Sequence, residues 1–343
     1  MRVMMTKGRV DHEAEKILGQ EMPDLKGRKP PYYFFSWIIL DLQRGCRRRG
    51  WEVDTLVVGS PKQQNHRRPD VVVNLISEPL ACRRALARLQ TIIQKHRLRV
   101  INSVVAVRRS SRTALPQVLA NVPKVHVPHT TRFLGEGSAH NLKAHIESKG
   151  HRWPVLIRPA GTHGSAGLLK FDSPDSLTDV ECPTSGLLVI DFVDFRSGDG
   201  LYRKYRMICV GGQTFPRHVI ATGKWNVTGD ARVDMVNRPD LVKAEKEFMS
   251  APPGPLDRRI AQLFRVVGLD FGVIDFALSD AGEIIIFELN STFQISGSIP
   301  RQYRERWGYL EGNNGAIVEA LLALIVRRAN AQPQPSAIPQ VAP

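Results

Sequence analysis

Between Asp70 and Ile76 the chain reads Asp-Val-Val-Val-Asn-Leu-Ile, an almost unbroken apolar run. A strand with one wet face alternates apolar and polar residues, whereas such a run belongs to a parallel strand buried on both faces. Parallel strands need helical crossovers, so the run asks for an α/β layer. Its surroundings agree. Glu52 to Val58 reads as a second strand and Val100 to Asn102 as a short third. A helix is expected from Ser36, as N-cap, to Gly50. Another is expected from Pro79 to His96, with Leu86, Leu89, Ile92 and Ile93 on one face. Residues 1–110 should therefore form an α/β lobe on an open parallel sheet. The first thirty residues show no clear pattern.

Beyond this lobe the chain carries a helical segment from Ser110 to Ala120 and a proline-punctuated stretch from Pro123 to Thr131. A helix from Ser138 to Lys149 leads to strands at Val155–Arg158 and Leu187–Ile190. Met207 to Phe215 reads as a hairpin turning at Gly211-Gly212. Two helical patterns flank the break at Pro252-Pro253-Gly254-Pro255. Strands Phe271–Leu278 and Glu283–Leu289 form another hairpin, and a helix from Gly315 to Arg328 closes the fold. The Ala-, Pro- and Gln-rich tail reads as disordered. No internal repeat is visible.

Composition narrows the function. The 343 residues allow two or three lobes. Lysine and arginine number 48 against 33 acids, a formal charge of +15, which favours anionic partners without choosing among them. No zinc-finger spacing or basic-aromatic RNA motif occurs, so general nucleic-acid binding is set aside. Cys46, Cys82, Cys182 and Cys209 lie far apart, with no CxxC. Reduced thiols in the cytoplasm are expected rather than a disulfide framework. The first thirty residues hold no apolar core segment, so no secretory signal is expected. The run Tyr32 to Leu40 is too short to span a bilayer.

Three places could carry chemistry. On the last hairpin, Glu288 and Asn290 lie two apart and share a face, with Asp275 on the neighbouring strand. Hard oxygen donors converging there suit Mg²⁺, which keeps water and phosphate as its other ligands. The same residues also suit solvated strand ends or ion pairs. The loop after the Val155 strand, Arg158-Pro159-Ala160-Gly161-Thr162-His163-Gly164-Ser165-Ala166-Gly167, has three glycines at three-residue spacing. Its backbone N–H groups can approach phosphate oxygens. It is neither a P-loop nor a dinucleotide fingerprint, and a plain flexible hairpin fits it equally. Finally, Tyr202-Arg203-Lys204-Tyr205-Arg206 leads into the central hairpin, where Arg206 is suited to phosphate or carboxylate. The partner strand there carries Arg217 and His218. His126 and His129 flank Pro128 with no third metal ligand nearby, and Cys209 reads as core.

Taken in order, these pieces resemble the ATP-grasp superfamily, nearest to glutathione synthetases and related glutamate- and peptide-ligating enzymes. The resemblance covers roughly residues 70–325. It rests on VLIRPAGTHGSAGLLK, LLVIDFVDF, KYRMICVGGQTFPRHVI and GLDFGVIDFALSDAGEIIIFELNST, preceded by INSVVAVRRSSRTALPQVLANVPKVHVPHTTRF. The implied architecture is α/β and α+β. It comprises a substrate lobe at 1–110, a first ATP-grasp lobe at 111–195, a second at 196–329, and a disordered tail at 330–343. The resemblance implies that Gly161, Thr162, His163, Gly164 and Ser165 close over the phosphates of ATP. Arg158 matches a phosphate-binding lysine, and Arg112 an earlier lysine near the adenine and α-phosphate. Ile190, Asp191, Phe192 and Val193 match the hinge that meets adenine, and Lys204 joins the nucleotide site. Asp275, Glu288 and Asn290 would hold Mg²⁺, with Mn²⁺ as a substitute. Arg206 and Arg158 would act on the acyl phosphate. Two expected lysines are arginines here, and Asp191 stands where Glu or Gln is common.

The implied reaction joins a small-molecule carboxylate, as its acyl phosphate, to an amine, releasing ADP and phosphate. Alternatives on the same fold are a small-molecule kinase and a catalytically silent nucleotide-binding partner module. Arg301, Arg304 and Arg306 suggest an acidic substrate, or simply an exposed basic helix. No membrane partner is expected, and a homo-oligomer is compatible with the family.

Overall fold

In the computed structural model, which describes residues 1–11, 33–34, 38–60, 66–162, 165, 167–183, 185–235, 237–295 and 304–331, the first sheet is built around Arg2–Arg9 (β1). This strand falls where the sequence shows no clear pattern. Val3, Met4, Met5 and Thr6 are consecutive and all buried, so no alternation announces it. Tyr33–Phe34 (β2) pairs antiparallel with the end of β1. Glu52–Val58 (β3) and Val71–Val73 (β4) run parallel beside β1, and Val100–Ile101 (β5) runs parallel to β4. Apart from β2, the sheet has the expected parallel order.

Two helices cover this sheet. Ile38–Arg48 (α1) buries Ile38, Leu42 and Cys46. Ser36, the expected cap, lies outside the described residues. Arg83–His96 (α2) begins four residues later than expected. The carboxylate of Asp11 accepts the N–H groups of Arg83 and Arg84 at 3.1 and 3.2 Å, so the cap comes from a distant part of the chain. The predicted helix from Ser110 to Ala120 is replaced by Val104–Arg109 (α3) and Leu115–Val118 (α4). Ser103, not Ser110, supplies the cap, accepting from the Ala106 N–H at 3.1 Å. The proline-punctuated stretch hides two strands, Val125–His126 (β6) and Thr130–Phe133 (β7), too short to show a period.

The second sheet runs in the order β7, Leu187–Asp191 (β10), Val155–Pro159 (β8), Leu169–Phe171 (β9), all antiparallel. Ala139–Ser148 (α5), capped by Ser138, packs Leu142 and Ile146 onto Val155, Ile157, Leu187 and Val189. This core draws only on residues of that body.

The third sheet runs Gln213–Thr222 (β12), Tyr202–Val210 (β11), Phe271–Leu278 (β13), Ile284–Asn290 (β14), β6. The β11–β12 turn falls at Gly211 and Gly212, with φ of +56° and +89°, conformations that glycine adopts without penalty. The basic stretch 202–206 is part of β11 rather than a lead-in. Arg232–Met235 (α6), Pro239–Ser250 (α7) and Pro255–Val267 (α8) follow. Arg304–Trp307 (α9) precedes Asn314–Asn330 (α10), whose Ile317, Leu321 and Ile325 join Val3, Met5, Leu42 and Val73 in one core. The same core takes Ile208 and Phe271 from the third sheet, so the first and third sheets are welded together. Each fully buried Leu or Ile there contributes about 1.5–3 kcal/mol.

Asn102 is the polar pin of that weld. It is fully buried with φ of +58°, a left-handed conformation that Asn tolerates. Its amide donates to the carbonyls of Phe271 at 2.9 Å and Ser291 at 3.0 Å. Its oxygen accepts from the N–H groups of Asp270 at 2.9 Å and Phe271 at 3.2 Å. Asn102→Ala is expected to lower stability by about 2–4 kcal/mol, since several buried groups lose their partners. The urea unfolding midpoint reads this directly, and an unchanged midpoint would show that the pin is dispensable.

Candidate functional site

The second and third sheets face each other across a cavity of about 320 Å³. Its floor is one row across the third sheet. His218, Arg206, Asp275 and Glu288 are successive partners on β12, β11, β13 and β14. Direct cross-strand partners present their side chains on the same face. All four line the cavity. Beyond the row both outer pairings slip by one residue, between Arg206 and Met207 and between Asp275 and Phe276. Such bulges re-aim side chains at the edge of a site.

Arg206 donates two hydrogen bonds to Asp275, at 2.5 and 2.6 Å, and lies 3.7 Å from Glu288. Burial presses its pKa down, but the charges of Asp275 and Glu288 and the hydrogen bonds raise it further above the ordinary value. Glu288 also pairs with Arg112. Arg112, expected near the adenine and α-phosphate, thus stands at the β13–β14 end of the cavity and approaches the carbonyl of Thr162 at 3.5 Å. It sits in the turn between α3 and α4, close enough to reach that carboxylate. Asn290 follows on the face of Glu288, and its amide has no hydrogen-bond partner among the described residues. A Cβ on Gly272 would stand 2.3 Å from the Asn290 carbonyl, so β13 approaches β14 this closely only because residue 272 has no side chain.

The opposite wall is β8 and its loop. Arg158 is buried and turned onto the loop, donating to the Thr162 carbonyl at 2.7 Å and its hydroxyl at 2.8 Å. The Thr162 hydroxyl donates to the Pro159 carbonyl at 2.9 Å. Gly161, with φ of +88°, makes the turn possible. Ser165 crosses the cleft and donates to the Asn226 side chain at 2.7 Å. His163 and Gly164 lie outside the described residues. Lys204 donates to the Val227 carbonyl, and burial lowers its pKa, with Asp275 acting against this.

At the far end lie Ile190, Asp191, Phe192 and Val193. The N–H groups of Asp191 and Phe192 already serve the carbonyls of His129 and Pro154, each at 2.9 Å. The Val193 N–H has no partner among the described residues. The Asp191 carboxylate is turned away and meets His151 Nδ1 at 2.6 Å. Phe192 and Trp225 meet edge to face at 5.8 Å, walling the pocket with aromatic surface.

Sequence reasoning missed the group behind Asp191. His151 Nε2 lies 2.6 Å from the Thr131 hydroxyl, which lies 2.8 Å from His145 Nε2. Neutral rings satisfy the chain: His145 donates to Thr131, Thr131 to His151, and His151 to Asp191. The His129 ring lies tilted by 37° against that of His151, with centroids 4.5 Å apart, while His126 belongs to β6. Burial, then His151 and Lys149, lower the pKa of His145. The unfolded chain therefore binds a proton that the folded one resists. Stability should fall as the pH drops below about 6.5, the ordinary histidine value. Melting temperature followed against pH checks this, and His145→Gln should flatten the acid side of the curve.

No protein-family model matches the sequence, and no curated protein matches it. Solved structures do. An ATP-grasp ligase associated with RiPPs from Chryseobacterium gregarium, in complex with ADP and a leader and core peptide, superposes with a TM-score of 0.51. The identity is 12%, over 98% of this chain and 99% of that one. D-alanine–D-alanine ligase from Bacillus anthracis gives 0.50 at 10% identity, over 96% of this chain and 97% of the other. The chain has the ATP-grasp fold.

In that fold the donor set on the third sheet can be tested against a divalent ion. Among the described residues no three His, Cys, Asp or Glu side chains converge for a metal. Asp275 and Glu288 are direct partners across the ladder, and Asn290 lies two residues along the face of Glu288. That set is too sparse for a closed structural site, but its oxygen donors fit an ion such as Mg²⁺ that keeps most of its other ligands from outside the protein. Both carboxylates are meanwhile neutralised by Arg206 and Arg112.

Proposed function

We propose that this ATP-grasp protein is an ATP-dependent carboxylate–amine ligase working through an acyl phosphate. One observation carries the reading: Asp275, Glu288 and Arg206 on the third sheet face Arg158 and Ser165 of the glycine-rich loop across one cleft. The triphosphate would lie between these walls, with adenine toward Val193, Phe192 and Trp225. Residues 1–110 would bear on the substrate, while 111–195 and 196–329 would form the two nucleotide-binding lobes. Asp275, Glu288 and Asn290 would hold Mg²⁺, which would supply positive charge against the negative charge that develops on phosphoryl transfer. A carboxylate oxygen attacks the γ-phosphorus, the bond to the β-phosphate oxygen breaks, and ADP leaves. Arg206, Arg158 and loop N–H groups stabilise the transferring group. The amine then attacks the acyl carbon, and phosphate departs.

The carboxylate is a small molecule or an acidic side chain of a peptide; the peptide in the Chryseobacterium complex brings the second into the assay. The four free cysteines support a reducing, cytoplasmic setting. A rival reading, a silent nucleotide-binding module, is favoured by the two guanidiniums that already occupy the carboxylates.

The test is ADP release from ATP and Mg²⁺ across amino acids, small dicarboxylates and Asp- or Glu-bearing peptides. Release that requires both a carboxylate and an amine supports the ligase. ADP with a stable phosphorylated product and no amide identifies a kinase instead. No binding or turnover leaves the silent module.

A further inference from the structure

One member of the catalytic row has no assigned task. His218 lines the cleft, directly across from Arg206 on the neighbouring strand. Adjacent strands are about 4.8 Å apart, so His218 stands one strand from the expected acyl-phosphate anchor and two from Asp275. Every charged side chain around it is engaged elsewhere. Arg206 holds Asp275, and Lys204 holds the Val227 carbonyl. Arg217, on the same strand, donates to the carbonyls of Leu310 at 2.7 Å and Ile295 at 2.6 Å. Arg232 of α6 is locked to Glu245 of α7. The ring nitrogens of His218, by contrast, have no hydrogen-bond partner among the described residues.

A half-buried imidazole with a free nitrogen, open to the cleft beside the anchor of the reacting group, is placed to move a proton. We propose that His218 accepts the proton that the substrate ammonium sheds before its nitrogen attacks the acyl phosphate. The role rests on the ligase reading above. One proton of the ammonium passes to His218, which returns it to water, and the lone pair so freed forms the C–N bond. The C–O bond breaks with its electrons leaving on phosphate, which carries off the second proton lost by nitrogen.

The surroundings suit the task. Burial first, then Arg206, Arg232, Lys204 and Arg217, hold the pKa of His218 well below the ordinary value. The ring therefore arrives unprotonated. The triphosphate would offset the cations facing it from β11, and the ring would then take a proton more readily. Asp275 and Glu288 add no net negative charge while paired with arginine.

The experiment separates the two half-reactions. Full-length protein receives ATP, Mg²⁺ and, as carboxylate, each of the twenty amino acids, succinate or glutarate. The nucleophile is either hydroxylamine, unprotonated at neutral pH, or an amino acid. His218→Gln is expected to keep hydroxamate formation within about twofold while amide formation falls roughly 100-fold. The variant's residual amide rate should climb with pH through the amine's own pKa, whereas the wild type levels off earlier. His218→Asn should behave alike, and melting curves confirm that both variants fold. Equal losses in both assays, or no loss in either, overturn the role. If the wild type forms no hydroxamate with any carboxylate, the ligase reading itself fails.

Discussion

Glu288→Gln should reduce ATP-dependent ADP release by roughly 100–1000-fold, the scale of losing one electrostatic anchor of a transition state. Glu288 is paired with Arg112 of the α3–α4 turn and lies 3.7 Å from Arg206. Glutamine keeps the shape but removes the charge that a divalent ion requires. The fold should tolerate the change. Arg206 retains both bonds to Asp275, and Arg112 retains its approach to Thr162. A coupled ADP assay and a melting curve, run together, give the result. Turnover surviving at a tenth of wild type or better would remove Glu288 from the metal site.

Glu245→Ala should cost about 3–5 kcal/mol, because it breaks a buried pair from one side. Glu245 is fully buried, receives two bonds from Arg232 at 2.7 and 2.9 Å, and accepts the Val219 N–H at 3.0 Å. It also accepts from the Tyr309 hydroxyl. Alanine would strand a guanidinium beside Trp307, whose ring lies 5.7 Å away. It would also free β12 next to His218. A melting-temperature drop on the order of 10 °C is expected. A shift of one or two degrees would mean that water replaces the carboxylate.

Much of the fold was legible because its elements obey local rules. The apolar β4, the double-glycine turn at Gly211 and the hairpin from Phe271 to Asn290 each announce themselves within a few residues. What escaped depends on distant partners. β1 lacks alternation because both its faces are covered, and α2 starts where Asp11 caps it from across the lobe. The short β6 and β7 exist only because longer strands offer them an edge. The site divides in the same way. Glu288 and Asn290 are readable as a same-face pair two residues apart. That Arg112 would meet Glu288, 176 positions away, is a product of topology. His218 was visible only as the neighbour of Arg217. Its place in the row follows from the slip that leaves Arg217 unpaired in the ladder and puts His218 opposite Arg206.

The packing of the three sheets also decides where the molecule divides. The first and third sheets share their interior, and Asn102 stitches them with four hydrogen bonds. The second sheet keeps its interior to itself. The cleft is therefore a seam between a two-sheet block and a smaller body at residues 130–191 with a core of its own, and Ser165 donating to Asn226 fastens the two across it.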